Sequence, residues 1–171
     1  MSFPRIVLSL FSLLLVSYQT HSDTNTISQA VWANEAIIAT YTYNYQNFLD
    51  RQKEIAVYFT ADGWTAYSKA LLASKLPDTV KKNSYAVSAV ATMPPVVKTV
   101  SPTNWQAVMP ILVVYKNPQF AQKQTLEVSI DFTKAPSGQG VGGYAITNMQ
   151  SIVKKPACDC PLNPHDDDAA P

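Results

Sequence analysis

The sequence predicts an α+β fold, with helices packed on one face of an antiparallel sheet. Three observations predict it. Apolar residues from Trp32 to Asn83 recur at helical spacing, whereas from Ser84 onward they recur every second residue. Turn residues (Pro94-Pro95, Pro102 and the glycine-rich APSGQGVGG) divide the second half into separate strands. Helices that come first, followed by a run of strands, place the helices together on an antiparallel sheet. The 171 residues, 47% of them apolar, suffice for one core and one domain.

The first segment sets the compartment. MSFPR carries one positive charge, Ile6 to Val16 form an apolar run, and Thr20 and Ser22 are small residues before a cleavage point after Ser22. That is the layout of a secretory signal peptide over residues 1–22. The run falls short of the ~20 residues needed to cross a bilayer as a helix. The rival reading is a short uncleaved anchor extended by Ser17 and Tyr18. Either way the expected location is the periplasm, with membrane contact only if this segment is retained.

Residues 23–28 are a polar lead-in, with Thr26 or Ser28 available as an N-cap. In WANEAIIATYTYNYQNF, Trp32, Ala36, Ala39 and Tyr43 form one helical stripe, and Ile37, Tyr41, Tyr45 and Phe48 a second. The alternation of Tyr41, Tyr43 and Tyr45 also suits a strand, but only for three residues, so the stretch is expected to be helical. LDRQKEIAVYF continues helically, with Asp50, Arg51, Lys53 and Glu54 on the wet side. Gly63 breaks the pattern, with Asp62 as the cap for a helix over TAYSKALLAS. KLPDTVKKN opens a short third helix with Pro77 in its first turn and Asn83 at its end.

Strands are then expected over SYAVSAVATM, VVKTVS, WQAVMPILVVYKN, QTLEVSIDFT and YAITNMQSIV. Pro110 should mark a bulge or an edge in the third of these. In the fourth, Leu126, Val128, Ile130 and Phe132 alternate with polar residues, as in a half-buried antiparallel strand. The domain is expected to span 29–153, with 154–171 a flexible Pro/Asp/Cys tail. Residues 23–156 carry 12 Lys+Arg and 8 Asp+Glu, a charge of +4, while 157–171 carry −4. The chain as a whole has no basic field, and nucleic acid is not an expected partner.

Catalytic chemistry is scarce. The only histidines are His21 and His165, at the two ends of the chain, so the domain lacks the usual general base. Asp50, Glu54, Asp62, Glu127 and Asp131 could work in pairs, but their positions suit solvated faces. SGQGVGG lacks the following helix and the Lys-Ser/Thr of a phosphate loop, and reads as a hairpin turn. No catalytic residue and no cofactor are expected. Cys158 and Cys160, with His165, are weak metal candidates, and the two thiols could equally form a local or intermolecular disulfide.

The segments from Trp32 to Leu71, WQAVMPILVVYKN and KQTLEVSIDFTKAPSGQGVGGYAIT also resemble the periplasmic domain of the IcmL/DotI family, components of type IVB secretion systems. The resemblance runs from about Trp32 to Ile152. It implies a curved antiparallel sheet similar to the nuclear transport factor 2-like fold of type IV secretion periplasmic domains. It further implies a non-enzymatic, oligomerising role in virulence, with self-association and other secretion envelope subunits as partners. The alternatives are an exported module with a cone-shaped pocket for a small ligand, or a metal carrier resting on the cysteines. On a continuous helix Tyr41, Tyr45 and Phe48 would dock on the sheet, leaving Tyr43 for a partner subunit. Tyr43, Trp32 and Tyr45 are the interface candidates.

Overall fold

A computed structural model describes residues 24–136 and 138–161. Helix α1 (Thr24–Thr40) buries Trp32, Ala33, Ala36 and Ile37, a stripe whose small members let the helix lie close on the sheet. It ends at Thr40, and the expected continuation to Phe48 is replaced by a short strand, β1 (Tyr43–Asn44). Local hydrogen bonds explain the change. Thr40 and Thr42 donate their hydroxyls back to the carbonyls of Ile37 and Ile38 at 2.7 and 2.8 Å. The Asn44 side chain then accepts from the amides of Gln46 and Asn47. Asn47 returns the contact by accepting from the Asn44 amide at 2.7 Å. Thr and Asn side chains compete in this way with helical hydrogen bonds and turn the chain.

Helix α2 (Phe48–Ala56) follows as expected and buries Ile55. Helix α3 (Ala61–Ala73) starts earlier than the glycine suggests. Its cap is Thr60, not Asp62: the Thr60 hydroxyl accepts from the Gly63 amide at 3.1 Å, so Gly63 lies inside the first turn. Lys75, with a left-handed φ of 55°, joins α3 to α4 (Leu76–Lys82). There Pro77 sits in the first turn and Lys81 and Lys82 in the last, where they oppose the negative end of the helix dipole.

The strands are β2 (Ala86–Ala91), β3 (Val96–Ser101), β4 (Asn104–Lys116), β5 (Phe120–Lys134) and β6 (Tyr144–Pro161). All pairings are antiparallel, in the order β1-β2-β4-β5-β6, with β3 also on β4. β2 and β3 lie along the same edge of β4, interrupted at Thr92 to Pro95. The Pro110 carbonyl accepts from the Thr92 amide at 3.0 Å. Its proline nitrogen, on the same side of an antiparallel strand, therefore faces the interruption, where no ladder donor is needed. The bulge or edge expected at Pro110 is replaced by regular register with Glu127 of β5, opposite the gap between β2 and β3.

Inward residues of the central strands form the core: Ala107, Met109, Ile111 and Val113 of β4, and Val128, Ile130 and Phe132 of β5, are 1% exposed or less. The Trp32 ring packs on Phe132 with centroids 4.9 Å apart, which fastens α1 to the sheet. Irregularities in the β5–β6 register at Asp131/Phe132, Thr125/Leu126 and Lys123/Thr125 bend the sheet under the helices. The last strand corrects the expected tail boundary. Residues 154–161 continue β6 and pair with β5 as far as Phe120 opposite Pro161. Two of the irregularities fall there, one of them accommodating Pro156 where a regular ladder would not. The signal-like segment 1–22, His165 and Asp166 to Asp168 lie outside the described residues.

Candidate functional site

The three interface candidates occupy different environments. Trp32 is 5% exposed and touches Tyr58, Phe132 and Tyr144, so it is a core residue and not a partner contact. Tyr43 is also 5% exposed and packs edge-on against Phe48 at 5.4 Å. The expectation that it faces a partner fails because the helix ends before it, and strand pairing with Val87 turns its ring inward. Tyr45 is 42% exposed, with its hydroxyl accepting from Gln46. Of the three, Tyr45 is the one at the surface.

A larger apolar surface lies on α1, where the sequence reading did not place one. Ile27 and Val31, four residues apart on α1, are 55% and 57% exposed. With Ala30, Met93, Pro94 and Pro95 they wall a groove of about 550 Å³ between the helix and the β2–β3 interruption. Val90, Val96 and Val100 are also exposed, but by strand parity they lie on the outer face of the sheet, away from this groove. β3 pairs with β4 only, so its other edge has no strand partner among the described residues. Contiguous exposed apolar area beside an open strand edge is the usual mark of a protein–protein surface. Its signal in the sequence was a second α1 stripe, Ile27 and Val31, on the face opposite Ala33 and Ala36.

Elsewhere the helices and the sheet frame a cavity of about 640 Å³ that is half open to solvent, with exposed Ser74, Gln150, Ser151 and Val153 at its rim. Tyr41, Tyr43, Tyr67 and Tyr115 come together there from the α1–β1 turn, β1, α3 and β4. Burial raises the pKa of all four phenols, and for Tyr43, Tyr67 and Tyr115 the neighbouring phenols raise it further. Tyr115 is pushed up to about 12. All four are neutral hydrogen-bonding groups at ordinary pH. The polar groups of this pocket come from the tyrosines and not from the inward face of β5, Leu126 to Phe132.

The remaining candidates are spread out. Asp50 and Glu54 pair with Lys53 and Arg51 on α2. Asp131 accepts from Gln106 at 2.9 Å and from Asn148 at 3.1 Å, and Glu127 pairs with Lys154. These are sheet-surface contacts between strands, not an acid–base pair poised over a cleft. Cys158 is exposed on β6 opposite Lys123. The Cys160 side chain and His165 lie outside the described residues, among which no cluster of metal-ligating side chains occurs. Nor is any described helix long and apolar enough to cross a membrane.

Known proteins decide the family. The sequence profile of the DotI/IcmL family, described as an inner-membrane complex component of the type IVb secretion system, matches residues 11–152. This chain belongs to the DotI/IcmL family. An IcmL-like type IV secretion system protein from Legionella pneumophila is 62% identical, over 78% of this chain and 96% of that one, with a TM-score of 0.74. The periplasmic domain of DotI is 32% identical, over 73% and 93%, with a TM-score of 0.69. A nuclear transport factor 2-like superfamily protein from Salmonella enterica, 16% identical over 82% and 96% with a TM-score of 0.51, shares the fold alone. Comparison with curated proteins gives no match. The α+β architecture with a curved antiparallel sheet, expected from pattern and resemblance alike, is the architecture of this DotI/IcmL chain.

Proposed function

We propose that this protein is a periplasmic, non-enzymatic assembly component of a type IVB secretion system, and that it associates with itself and with other envelope subunits. The observation that carries the reading is the apolar groove of Ile27, Val31 and Met93 beside the open edge of β3. A monomer would leave this surface wet at a cost of roughly 25 cal/mol for each Å². A scaffold buries it. Tyr45, exposed in the turn between β1 and α2, is a second contact point on the same reading. The +4 charge of residues 23–156 suits docking on acidic neighbours, which would speed encounter more than it tightens binding.

A photocrosslinking amino acid placed at Val31 or Met93 in native envelopes tests this. Crosslinks to a second copy or to another secretion subunit are the expected result. Capture no greater than from exposed Lys69 on α3 would refute it.

A further inference from the structure

The cavity under the helices is independent of the docking groove, and its lining is chemically selective. None of the fifteen residues that line it is charged. Leu71, Leu76, Leu126 and Met149 supply apolar lining, and Tyr41, Tyr43, Tyr67 and Tyr115 line it as mutually neighbouring phenols. The Tyr41 hydroxyl faces Ser151 and that of Tyr67 faces Gln52, each contact lowering the phenol's pKa slightly against burial. Tyr43 and Tyr115 have no such side-chain partner among the described residues. Two phenolic donors are thus left for whatever enters. The volume, about 640 Å³, lies within the ~300–1,000 Å³ of small-molecule sites, which are likewise mostly apolar with a few placed polar groups.

We propose that this cavity binds an uncharged, mainly apolar molecule carrying a hydrogen-bond acceptor, with Tyr43 and Tyr115 donating to that acceptor. An anion would enter without a compensating cation, and a cation without a carboxylate, so charged molecules are rejected by desolvation. The residue set comes from five separate segments of the chain, so the site exists only in the folded domain.

The test is a titration of the full chain, methyl-labelled for NMR, with coumarin, a neutral bicyclic carrying a carbonyl acceptor. Naphthalene-2-sulfonate is the charged comparison. Saturable shifts of the Met149 and Leu71 methyl signals with coumarin, and not with the sulfonate, are expected. Loss of one hydrogen bond is worth about 0.5–1.5 kcal/mol, so Tyr115→Phe should weaken coumarin binding roughly 2- to 13-fold. Should that variant fold poorly, Leu71→Trp, which fills the cavity from half-exposed α3, should abolish binding on its own. Absence of saturable shifts, equal binding of the sulfonate, or undiminished binding to a folded Tyr115→Phe protein would each overturn the proposal.

Discussion

Gly63→Ala sets two well-understood effects against each other, and the structure says which wins. In an exposed helix the substitution stabilises by roughly 0.8–1 kcal/mol, because alanine restricts the unfolded chain and favours helix. Here the first turn of α3 lies directly on β6. A Cβ on Gly63 would strike the Ile146 carbonyl oxygen and stand 3.0 Å from both the Thr147 carbonyl oxygen and the Thr60 hydroxyl. Backbone oxygens cannot swing aside as a flexible side chain would. Regaining ordinary contact requires the helix to rise by about 1 Å. That motion would stretch the bond from the Thr60 amide to Ile146, now 2.9 Å, beyond hydrogen-bonding range. It would also weaken the bond from the Ile146 amide to Tyr58, now 2.7 Å. Two such bonds at about 1 kcal/mol each, with about 1–3 kcal/mol of overpacking, outweigh the propensity gain. The net expectation is destabilisation by about 2–4 kcal/mol, or a Tm lower by about 6–14 °C. Thermal unfolding followed by circular dichroism measures it. An unchanged or higher Tm would mean that α3 is not seated on β6 as described, and would refute the reasoning.

Tyr43→Ala should cost about 3–5 kcal/mol by emptying a buried aromatic site, while Tyr45→Ala should stay within about 1 kcal/mol; urea denaturation of both variants checks the pair. Ile27→Glu with Val31→Glu should leave the Tm nearly unchanged, because both residues are more than half exposed, yet reduce self-association in sedimentation velocity runs. High pH should unfold the protein steeply. Tyr41, Tyr43, Tyr67 and Tyr115 have folded pKa values above the unfolded value of 10, so between pH 10 and 12 the unfolded state loses protons that the folded state keeps. Stability is therefore fully present below pH 10 and falls as pH rises, by at most about 1.4 kcal/mol per pH unit for each phenol. Absorbance titration should show these four ionising late, together with unfolding; a single transition near pH 10 for every tyrosine in a still-folded chain would contradict it.

Strand parity made much of the sheet legible before any coordinates. Leu126, Val128, Ile130 and Phe132 alternate strictly and all prove buried, because the sheet has one wet face and one covered face. The same parity carries Tyr115 inward beside Val113 and Ile111, so one wall of the cavity was readable in principle. The end of α1 was not. Helical spacing continues past Thr40, and the competing Thr and Asn hydrogen bonds act over only a few residues, too short for a periodicity to register. Placing Tyr43 on the wrong side followed directly from that. The long β6 was hidden for another reason: KKPACDCP has no alternation, and its pairing is imposed by β5 through two irregularities in register. The gathering of four tyrosines from separate elements is a tertiary event that no local pattern announces.

Affinity purification of a C-terminally tagged full chain from detergent-solubilised envelopes tests the assembly role most directly, with the Ile27→Glu, Val31→Glu double variant purified alongside. The wild-type chain should retrieve other type IVB secretion subunits and untagged copies of itself, and the folded double variant should lose most of both. Recovery of the wild-type chain without those subunits, or full retention of them by the variant, would contradict the account.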